Sequence, residues 1–208
     1  MCGRAVLANP HDIAEWFDVD LPDALPPRYN IAPTQLIAVI RTPHKLEMLK
    51  WGIVREPKRP VQINMRVEQI LKTTDQQRRC LVVVDGYYEW RKEEGSKKGR
   101  PFLLRDEGGH PMGLGGVCHT RTTGDGEVLE SVAILTCPPK PPVDAIHDRM
   151  PLVIPKEAYG RWIDRGADVS DLLRPQSTTL VAVEVSTLVN SPANDDARVI
   201  APAASSPS

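Results

Sequence analysis

Proline most constrains how this chain can fold. It accounts for 20 of the 208 residues, about twice the usual share of roughly 5%. Because proline fixes one backbone angle and lacks an amide hydrogen, a chain this rich in proline does not form long helices. The apolar residues between the prolines fall in short runs typical of strands, such as LIAVIR, CLVVV and SVAILT. Helical spacing is confined to short segments such as NPHDIAEWF, VEQILKT and KEAYGRWI. The sequence therefore predicts an α+β fold with largely antiparallel sheets.

Turn residues divide the apolar runs into predicted hairpins. LIAVIR is expected to pair with HKLEMLKWG, and the DG dipeptide of CLVVVDGYYEWR predicts a second hairpin. A third is predicted in RPFLLRDEGGHPMGLGGVC, whose return strand is rich in glycine. Near the start of the chain, Asn9 is expected to cap a short helix that begins with Pro10 and buries one face.

Length and composition are those of one globular domain, with 41% hydrophobic and 25% charged residues. The chain ends in the low-complexity stretch APAASSPS, which has nothing to bury. We therefore expect one domain over residues 1–196 and a disordered tail over residues 197–208. No apolar run is long enough for a membrane span, and no apolar region follows Arg4 as in a signal peptide. The expected location is cytoplasmic in a bacterium, or nuclear in a eukaryote.

Cysteine supplies the most unusual feature of the amino terminus, which reads MCGRAV. If an aminopeptidase removes Met1, Cys2 carries a free α-amine and a thiol on one residue, and both are nucleophiles. The alternative is that Cys2 is a small buried hydrophobe at the start of a strand. The other cysteines, Cys80, Cys118 and Cys137, form no CxxC pair and are interpreted as packed thiols. We expect neither a metal site nor a cofactor.

The charge pattern gives a local rather than a global signal. The formal net charge of −1 does not indicate a nucleic-acid-binding protein. The stretch KWGIVREPKRPVQINMR, however, carries five basic residues against Glu56 alone. Such a segment suits contact with phosphates. The alternative is an ordinary solvated loop.

Three further polar residues lie in apolar or aromatic surroundings. Asn64 stands between a strand-like segment and a helix, where it is either a functional group or a helix N-cap. Glu89 lies among aromatic residues in DGYYEWR, so its pKa should rise and suit it for proton transfer near neutral pH, unless it pairs with Arg91. His147 is suited to proton transfer at neutral pH, unless it simply bonds to Asp148 or a carbonyl.

Taken together, the motifs resemble those of the SRAP family, the SOS-response-associated peptidase-like proteins that crosslink to abasic sites in DNA. The matching stretches follow the family's order across about the first 196 residues: MCGR, RYNIAP, WG, N-x-R-x-E, DGYYEW, ILT, HDRMP and VSTLVNSPANDD. The resemblance implies the SRAP fold, in which largely antiparallel sheets form a barrel-like core flanked by short helices.

The resemblance also implies a mechanism. After Met1 is lost, the α-amine of Cys2 attacks the ring-opened abasic sugar, and the thiol then closes a thiazolidine ring. Asn64 would orient the sugar or the terminus, Glu89 would move protons to and from the amine, and His147 would assist ring opening and release of the crosslink. Weak strand-cleaving lyase activity and self-removal of Met1 are further implied activities.

The implied target is single-stranded DNA that contains abasic sites, bound largely without regard to sequence. Arg4, Arg66 and Arg149 match phosphate-binding residues, Trp51 matches an aromatic residue that packs against a base, and Pro33 lies at the DNA-facing edge. Where the family commonly reads NARSET, this chain reads NMRVEQ. The larger Met65 is expected to narrow the pocket or contact a base. We expect a monomer, with replication-fork proteins as further partners.

Three other functions fit parts of the sequence. Class II glutamine amidotransferases also begin with MCG, but the Asn-Gly-Glu oxyanion loop that they need is not found in this sequence. A noncovalent single-stranded DNA-binding module with a buried Cys2 would bind in a salt-sensitive way without forming an adduct. A general protease would need a cleft for peptide substrates, which these motifs do not indicate.

Overall fold

The computed structural model describes residues 2–55, 60–70, 78–95, 99–176 and 179–203. The predicted α+β class is confirmed, because strands dominate and the helices are short. The strands are β1 Ala5–Leu7, β2 Arg28–Ile31, β3 Leu36–Thr42, β4 Lys45–Trp51, β5 Asn64–Arg66, β6 Arg79–Val84, β7 Gly86–Arg91, β8 Arg100–Asp106, β9 Met112–Thr122, β10 Val128–Cys137, β11 Met150–Pro151, β12 Val153–Ile154 and β13 Leu180–Glu184. The α-helices are α1 His11–Phe17, α2 Val67–Ile70 and α3 Tyr159–Ile163. In the described part of the chain, none of them is long and apolar enough to cross a membrane.

The larger sheet closes on itself as a barrel of five strands. Its order is β10-β4-β3-β6-β9, and β9 pairs with β10 again to complete the ring. Closure leaves these strands without free edges. Most pairs are antiparallel, but β10 runs parallel to β4 and to the short added strand β5. The predicted barrel-like, largely antiparallel core is therefore confirmed.

A second sheet of five strands has the order β13-β8-β7-β1-β2. It carries the amino-terminal segment on β1 and the DGYYEW motif on β7, which pair antiparallel with Ala5 opposite Tyr87. One face contributes to the main core, and the other covers a small second cluster that includes Val6, Tyr88 and Val199. Cys2, which precedes β1, is thereby buried against the main core.

The predicted hairpins are partly wrong. β3 and β4 do pair as expected. The DG dipeptide, however, makes no hairpin turn, since β6 belongs to the barrel and β7 to the second sheet. Gly86 is required there because a Cβ atom would lie 2.8 Å from the carbonyl oxygen of Leu104. The predicted pairing of RPFLLRD with its glycine-rich return strand fails in the same way, with β8 and β9 in different sheets.

The predicted helices are present, and α1 begins one residue after its predicted start at Pro10. Pro10, not Asn9, occupies the cap position of α1, and the Asn9 side chain makes no capping bond. Instead, the backbone amide of Asn9 donates to the carboxylate of Asp85 at 2.8 Å. The predicted helix VEQILKT is described only as α2, and its last three residues lie outside the described residues.

The carboxyl-terminal boundary differs from the prediction. Residues 197–203 were expected to be disordered, but Ala197–Val199 form a 3-10 helix and Val199 is fully buried. Pro202 bridges to Val185, and the amide of Ala203 donates to the carbonyl of Glu184. The prediction is wrong for 197–203 because Val199 completes the second hydrophobic cluster. Residues 204–208 lie outside the described residues.

Two of the sequence motifs interlock and hold the second sheet to the end of the chain. The side-chain amide of buried Asn30 donates to the backbone carbonyls of Val189, Ser191 and Asn194. In return, Asp195 accepts from the backbone amide of Asn30 at 2.8 Å. The motifs RYNIAP and VSTLVNSPANDD therefore hold each other in place, although they lie more than 150 residues apart in the sequence.

Candidate active site

Cys2 lies fully buried just before β1, at the junction of the barrel and the second sheet. Its thiol lies 3.7 Å from the carbonyl oxygen of Arg4. Burial raises the pKa of this thiol well above its usual range, and the nearby Glu89 carboxylate adds to the effect. The buried position matches the packed-hydrophobe alternative, but the polar groups around Cys2 do not.

Asn64 holds the backbone of Cys2 in place. Its side-chain amide donates to the Cys2 carbonyl oxygen at 2.7 Å, with Asn64 on β5 opposite Ile134 of β10. This contact excludes the helix N-cap alternative, since the side chain turns to the amino terminus rather than to α2. Its carbonyl oxygen, Oδ1, is buried and accepts no hydrogen bond from the described residues. Asn64 therefore retains an acceptor for a further group beside Cys2.

Glu89 is a buried carboxylic acid on β7, only 2% exposed. Burial raises its pKa from the ordinary 4.5 to about 7, against the opposing effect of the positive amino terminus. The predicted increase is confirmed in direction and in cause. The alternative partner, Arg91, lies over the ring of Phe102 at 4.9 Å. Glu89 is thus able to hold or release a proton near neutral pH.

His147 approaches the same region from the loop between β10 and β11. The backbone amide of Arg149 donates to its Nδ1 at 3.0 Å, and a carboxylate oxygen of Asp148 lies 2.9 Å from the same nitrogen. Burial and then the positive amino terminus lower the pKa of His147 below its usual value. The lowered pKa favours the neutral ring at physiological pH. The contact with Asp148 predicted as an alternative is present alongside this arrangement.

The three arginines expected to bind phosphate differ in their exposure and in their hydrogen-bond partners. Arg66 follows Asn64 on β5 with an exposed side chain. Arg149 forms a bidentate ion pair with Glu68 at 2.9 and 3.0 Å and donates to the carbonyl of Thr136. Arg4 donates to Asn30 and to the carbonyl of Val189 at 2.7 Å, so it supports the interlocked motifs.

Two of the expected DNA contacts are wrong. Trp51 is 0% exposed, and its indole nitrogen donates to the carbonyl of Ile63 at 3.0 Å, so its ring cannot stack on a base. Met65 is buried as well, because alternation along β5 turns it into the core while Asn64 and Arg66 lie on the opposite face of the strand. Both apolar side chains are used for packing.

The rest of the predicted DNA-facing edge is partly described. Pro33 is half-buried in the loop between β2 and β3. In the basic stretch, Lys50 and Arg55 are exposed, while Lys58 and Arg59 lie outside the described residues. Gly52, of the WG motif, has a φ of +123°, and a Cβ there would lie 2.3 Å from Val61. This glycine therefore lets the backbone pack closely against Val61.

The sequence analysis did not single out Tyr87, which lies on β7 two residues before Glu89 and so on the same face of the strand. It is fully buried, and its hydroxyl has no hydrogen-bond partner among the described residues. Burial raises the pKa of Tyr87, and Cys2 and Glu89 are the next largest causes. Its place in DGYYEW, two residues from the candidate acid, is the signal that would have identified it.

The fold and site define a class of protein built on a small closed barrel with a second sheet, which buries a cysteine at position 2 beside a carboxylic acid. The chain belongs to the SRAP (SOS response associated peptidase) family, whose sequence profile matches residues 1–192.

Several curated relatives carry one functional name. The chain is 29% identical over 222 residues to "Abasic site processing protein YoqW" of Bacillus subtilis, covering 96% of this chain and 99% of that protein. It is 31% identical over 179 residues to "Abasic site processing protein YedK" of Escherichia coli, covering 78% and 79%. It is 23% identical to "Abasic site processing protein HMCES" of Rattus norvegicus, covering 98% and 76%.

The fold is also shared with solved structures. A crystal structure of a protein from Bacteroides thetaiotaomicron superposes with a TM-score of 0.83 at 20% identity, covering 98% of this chain and all of that one. A phage-related protein from Bordetella bronchiseptica superposes with a TM-score of 0.71 at 25% identity, covering 88% and 94%.

Proposed function

We propose that this protein processes abasic sites in single-stranded DNA by covalent capture on Cys2. The observation that carries the proposal is the buried Cys2 whose carbonyl is held by Asn64 at 2.7 Å, beside Glu89 with a pKa of about 7. The names of the relatives support the substrate. Packing alone would not need a proton-exchanging acid beside the second residue.

Removal of Met1 places the α-amine on Cys2 itself. The amine nitrogen bonds to the aldehyde carbon of the ring-opened sugar, and one water leaves as the Schiff base forms. The thiol sulfur then bonds to the same carbon, and its proton passes to the nitrogen. The product is a five-membered thiazolidine, and one water is lost overall. Cysteine provides the nitrogen and sulfur at the spacing that this ring needs.

The pKa directions account for the order of the two bonds. Because burial raises the pKa of the Cys2 thiol, the sulfur stays protonated in the free protein and the amine reacts first. Glu89 takes a proton from the amine and returns it to the departing hydroxyl, which suits an acid with a pKa of about 7. Neutral His147 takes the proton of the anomeric hydroxyl and passes it to the ring oxygen as the bond from C1′ to that oxygen breaks, which opens the sugar ring.

DNA binding is proposed on the outward face of β5 and its surroundings. Exposed Arg66 lies next to Asn64 and is the best-placed phosphate contact, with Arg149 fixed by Glu68 behind it. Arg4 contributes from the second sheet, and Pro33 lies at the rim. A few exposed cations explain how a chain with a net charge of −1 binds a polyanion. Strand cleavage by β-elimination and self-removal of Met1 are proposed as minor activities of the same centre.

Intact mass spectrometry after incubation with a single-stranded oligonucleotide carrying one abasic site tests the function. We expect a protein without Met1 that gains the mass of the oligonucleotide minus one water. A tetrahydrofuran abasic analogue, which cannot open to an aldehyde, should give no adduct. The matched control for the nucleophile is Cys137→Ala, which removes another buried thiol and should leave the adduct intact.

Two variants of Cys2 separate the two bonds. Cys2→Ser keeps the amine and should form an adduct only when borohydride reduces the Schiff base. Cys2→Ala should give no heat-stable adduct while still binding DNA. A heat-stable adduct from Cys2→Ala without reduction would overturn the thiazolidine proposal. Salt-sensitive binding by the wild type without any adduct would instead indicate a noncovalent binding module.

A further inference from the structure

Tyr87 places a hydroxyl group in the buried region that contains Cys2 and Glu89. Alternation along β7 puts the side chains of Tyr87 and Glu89 on one face of the strand and that of Tyr88 on the other. Tyr87 belongs to the main core, which also contains Cys2, whereas Tyr88 belongs to the second cluster. After burial, Cys2 and Glu89 have the largest electrostatic effects on the pKa of Tyr87, so its hydroxyl lies near both groups.

The pairing of β1 with β7 brings the Cys2 thiol to the same place. The backbone amide of Tyr88 donates to the carbonyl oxygen of Arg4 at 3.0 Å. The Cys2 sulfur lies 3.7 Å from that same oxygen, within reach of a weak hydrogen bond from its S–H group. The sulfur is therefore held close to β7 at the point where Tyr87 joins Tyr88.

The hydroxyl group of Tyr87 is buried and, among the described residues, has no hydrogen-bond partner. A buried hydroxyl group without a partner destabilises the folded protein. A phenylalanine side chain would fill the same space without that cost. Packing alone therefore does not explain the hydroxyl group, whereas a partner that forms during the reaction would explain it.

Ring closure changes the hydrogen bond that the Cys2 sulfur requires. Burial and the Glu89 carboxylate raise the pKa of the thiol, so in the free protein it is protonated and is able to donate to the Arg4 carbonyl. Once the proton has left, the sulfur can only accept, and a carbonyl oxygen cannot donate to it. A donor beside the sulfur would stabilise the negative charge that develops there.

Tyr87 has the properties of such a donor. Burial raises the pKa of Tyr87 well above its usual range, and Cys2 and Glu89 add to the effect. The hydroxyl group therefore keeps its proton at physiological pH. A neutral phenol is able to donate one hydrogen bond to an electron-rich sulfur.

We infer that Tyr87 is a further catalytic residue, whose hydroxyl group donates a hydrogen bond to the Cys2 sulfur while the thiazolidine ring closes. The inference rests on the covalent capture proposed above. In this step the S–H bond breaks, the bond from sulfur to the Schiff-base carbon forms, and the proton passes to the nitrogen. Tyr87 keeps its own proton throughout. It therefore assists the second bond to the sugar and not the first.

The substitution Tyr87→Phe tests this role, because it removes the hydroxyl group and keeps the ring. On a single-stranded oligonucleotide with one abasic site, borohydride added at successive times traps the Schiff base, whereas heating without reduction leaves the thiazolidine adduct. We expect Tyr87→Phe to form the Schiff base at the wild-type rate. It should form the heat-stable adduct about tenfold more slowly, which is the effect of losing one hydrogen bond to a charged group.

Thermal unfolding of the same samples separates this role from a structural one. Because the hydroxyl group has no partner among the described residues of the free protein, the Tm of Tyr87→Phe should equal or exceed that of the wild type. Tyr88→Phe is the matched control, since its hydroxyl donates to the carbonyl oxygen of Tyr29 at 2.7 Å and lies on the other face of the strand. We expect a lower Tm for Tyr88→Phe, with both bonds to the sugar formed at wild-type rates.

The outcomes distinguish this inference from the proposed function. Equal rates of ring closure in Tyr87→Phe and the wild type would overturn the role of Tyr87 and leave covalent capture in place. A lower Tm for Tyr87→Phe, or equal slowing of ring closure in Tyr88→Phe, would show that the hydroxyl group is structural and would also overturn it. If the wild type forms neither adduct, the proposed function itself is wrong, and the role of Tyr87 is wrong with it.

Discussion

At the scale of single residues, Glu89 shows how the position of a side chain on a strand can raise its pKa. Its carboxyl group is placed by β7 between the sheets, where water does not solvate the charge. The pKa increase from 4.5 to about 7 corresponds to roughly 3 kcal/mol disfavouring the charged form in the folded protein. A residue retained at such a cost is better explained by proton transfer than by stability.

Replacing Glu89 by Gln should therefore have opposite effects on stability and on activity. The unfolded carboxyl group loses its proton near pH 4.5 and the folded one near pH 7, so wild-type stability falls across this range and stays lower above it. Gln does not ionise, so Glu89→Gln should be more stable than wild type at pH 8 by about 1–3 kcal/mol. The abasic-site crosslinking rate should fall at least tenfold.

Chemical denaturation at pH 5 and pH 8, with single-turnover crosslinking kinetics on the same samples, checks both effects. The stability difference between variant and wild type should be larger at pH 8 than at pH 5. A variant that is less stable at pH 8 would show that Glu89 is a structural ion-pair partner instead.

His147 should affect the rate rather than the affinity. Burial and the positive amino terminus lower the pKa of His147 and keep its ring neutral, and a neutral ring adds no charge for phosphate. His147→Ala should slow crosslink formation or reversal about 10–100-fold, in the range that proton transfer supplies. Affinity for an oligonucleotide with the tetrahydrofuran analogue, measured by fluorescence anisotropy, should change less than threefold. The reverse ranking would make His147 a binding residue only.

At the scale of elements, short strands are placed by partners that are distant in sequence. β5 has three residues and lies along β10, which brings Asn64 to Cys2. The Asp85–Gly86 junction moves the chain from the barrel to the second sheet and so delivers Glu89 to the same place. β5 and β7 are distant in sequence, and their long-range pairings bring Asn64 and Glu89 to the same candidate site.

The hydrogen bonds that join β2 to the carboxyl-terminal segment should contribute measurably to the free energy of unfolding. Asp195 accepts hydrogen bonds from the amides of Tyr29 and Asn30 at 2.6 and 2.8 Å and pairs with Arg28. Asp195→Ala leaves these donors without their acceptor and should cost about 2–3 kcal/mol of unfolding free energy in urea. Asp196→Ala is the matched control. Among the described residues, its exposed carboxylate bonds to Arg198 in the local turn, so its effect should be clearly smaller. Equal losses in the two variants would contradict the interlock.

At the scale of the whole molecule, the closed barrel supports the candidate active site. The candidate active site occupies the junction of the barrel with the second sheet. Barrel closure satisfies the backbone of the central strands, so loops and short strands at both ends are free to carry function.

Removal of the residues after Asp196 tests the boundary of the fold. Val199 is buried with Tyr88 and Val189, so a chain that ends at Asp196 loses part of the second cluster. We expect its Tm to fall by about 4–8 °C, as a loss of about 2 kcal/mol does in a chain of this size. A chain that ends at Ala203 is the control and should melt like the full-length protein. Identical melting of both truncated chains would contradict a structural role for residues 197–203.

Much of this architecture could be predicted from local pattern. Alternation, turn residues and proline predict the α+β class, the β3–β4 hairpin and most strand positions, since these depend on neighbours in sequence. Glu89 could be identified as a perturbed acid because its aromatic neighbours are adjacent to it in the chain. The hairpin predicted at Asp85–Gly86 is wrong because a DG dipeptide is compatible with both a hairpin turn and a change of sheet, and the partner of β7 decides between them.

By itself, the sequence determined the residue types at the site: the cysteine at position 2, the acid among aromatics and the loop histidine. Only the tertiary structure decided which of them meet and which candidates are buried. Trp51 and Met65 look like nucleic-acid contacts in the sequence and are packed side chains in the fold. The reason is physical. Exposure, desolvation and hydrogen bonding depend on pairings such as β5 with β10 and β1 with β7, and long-range pairing leaves no mark in the local pattern of residues.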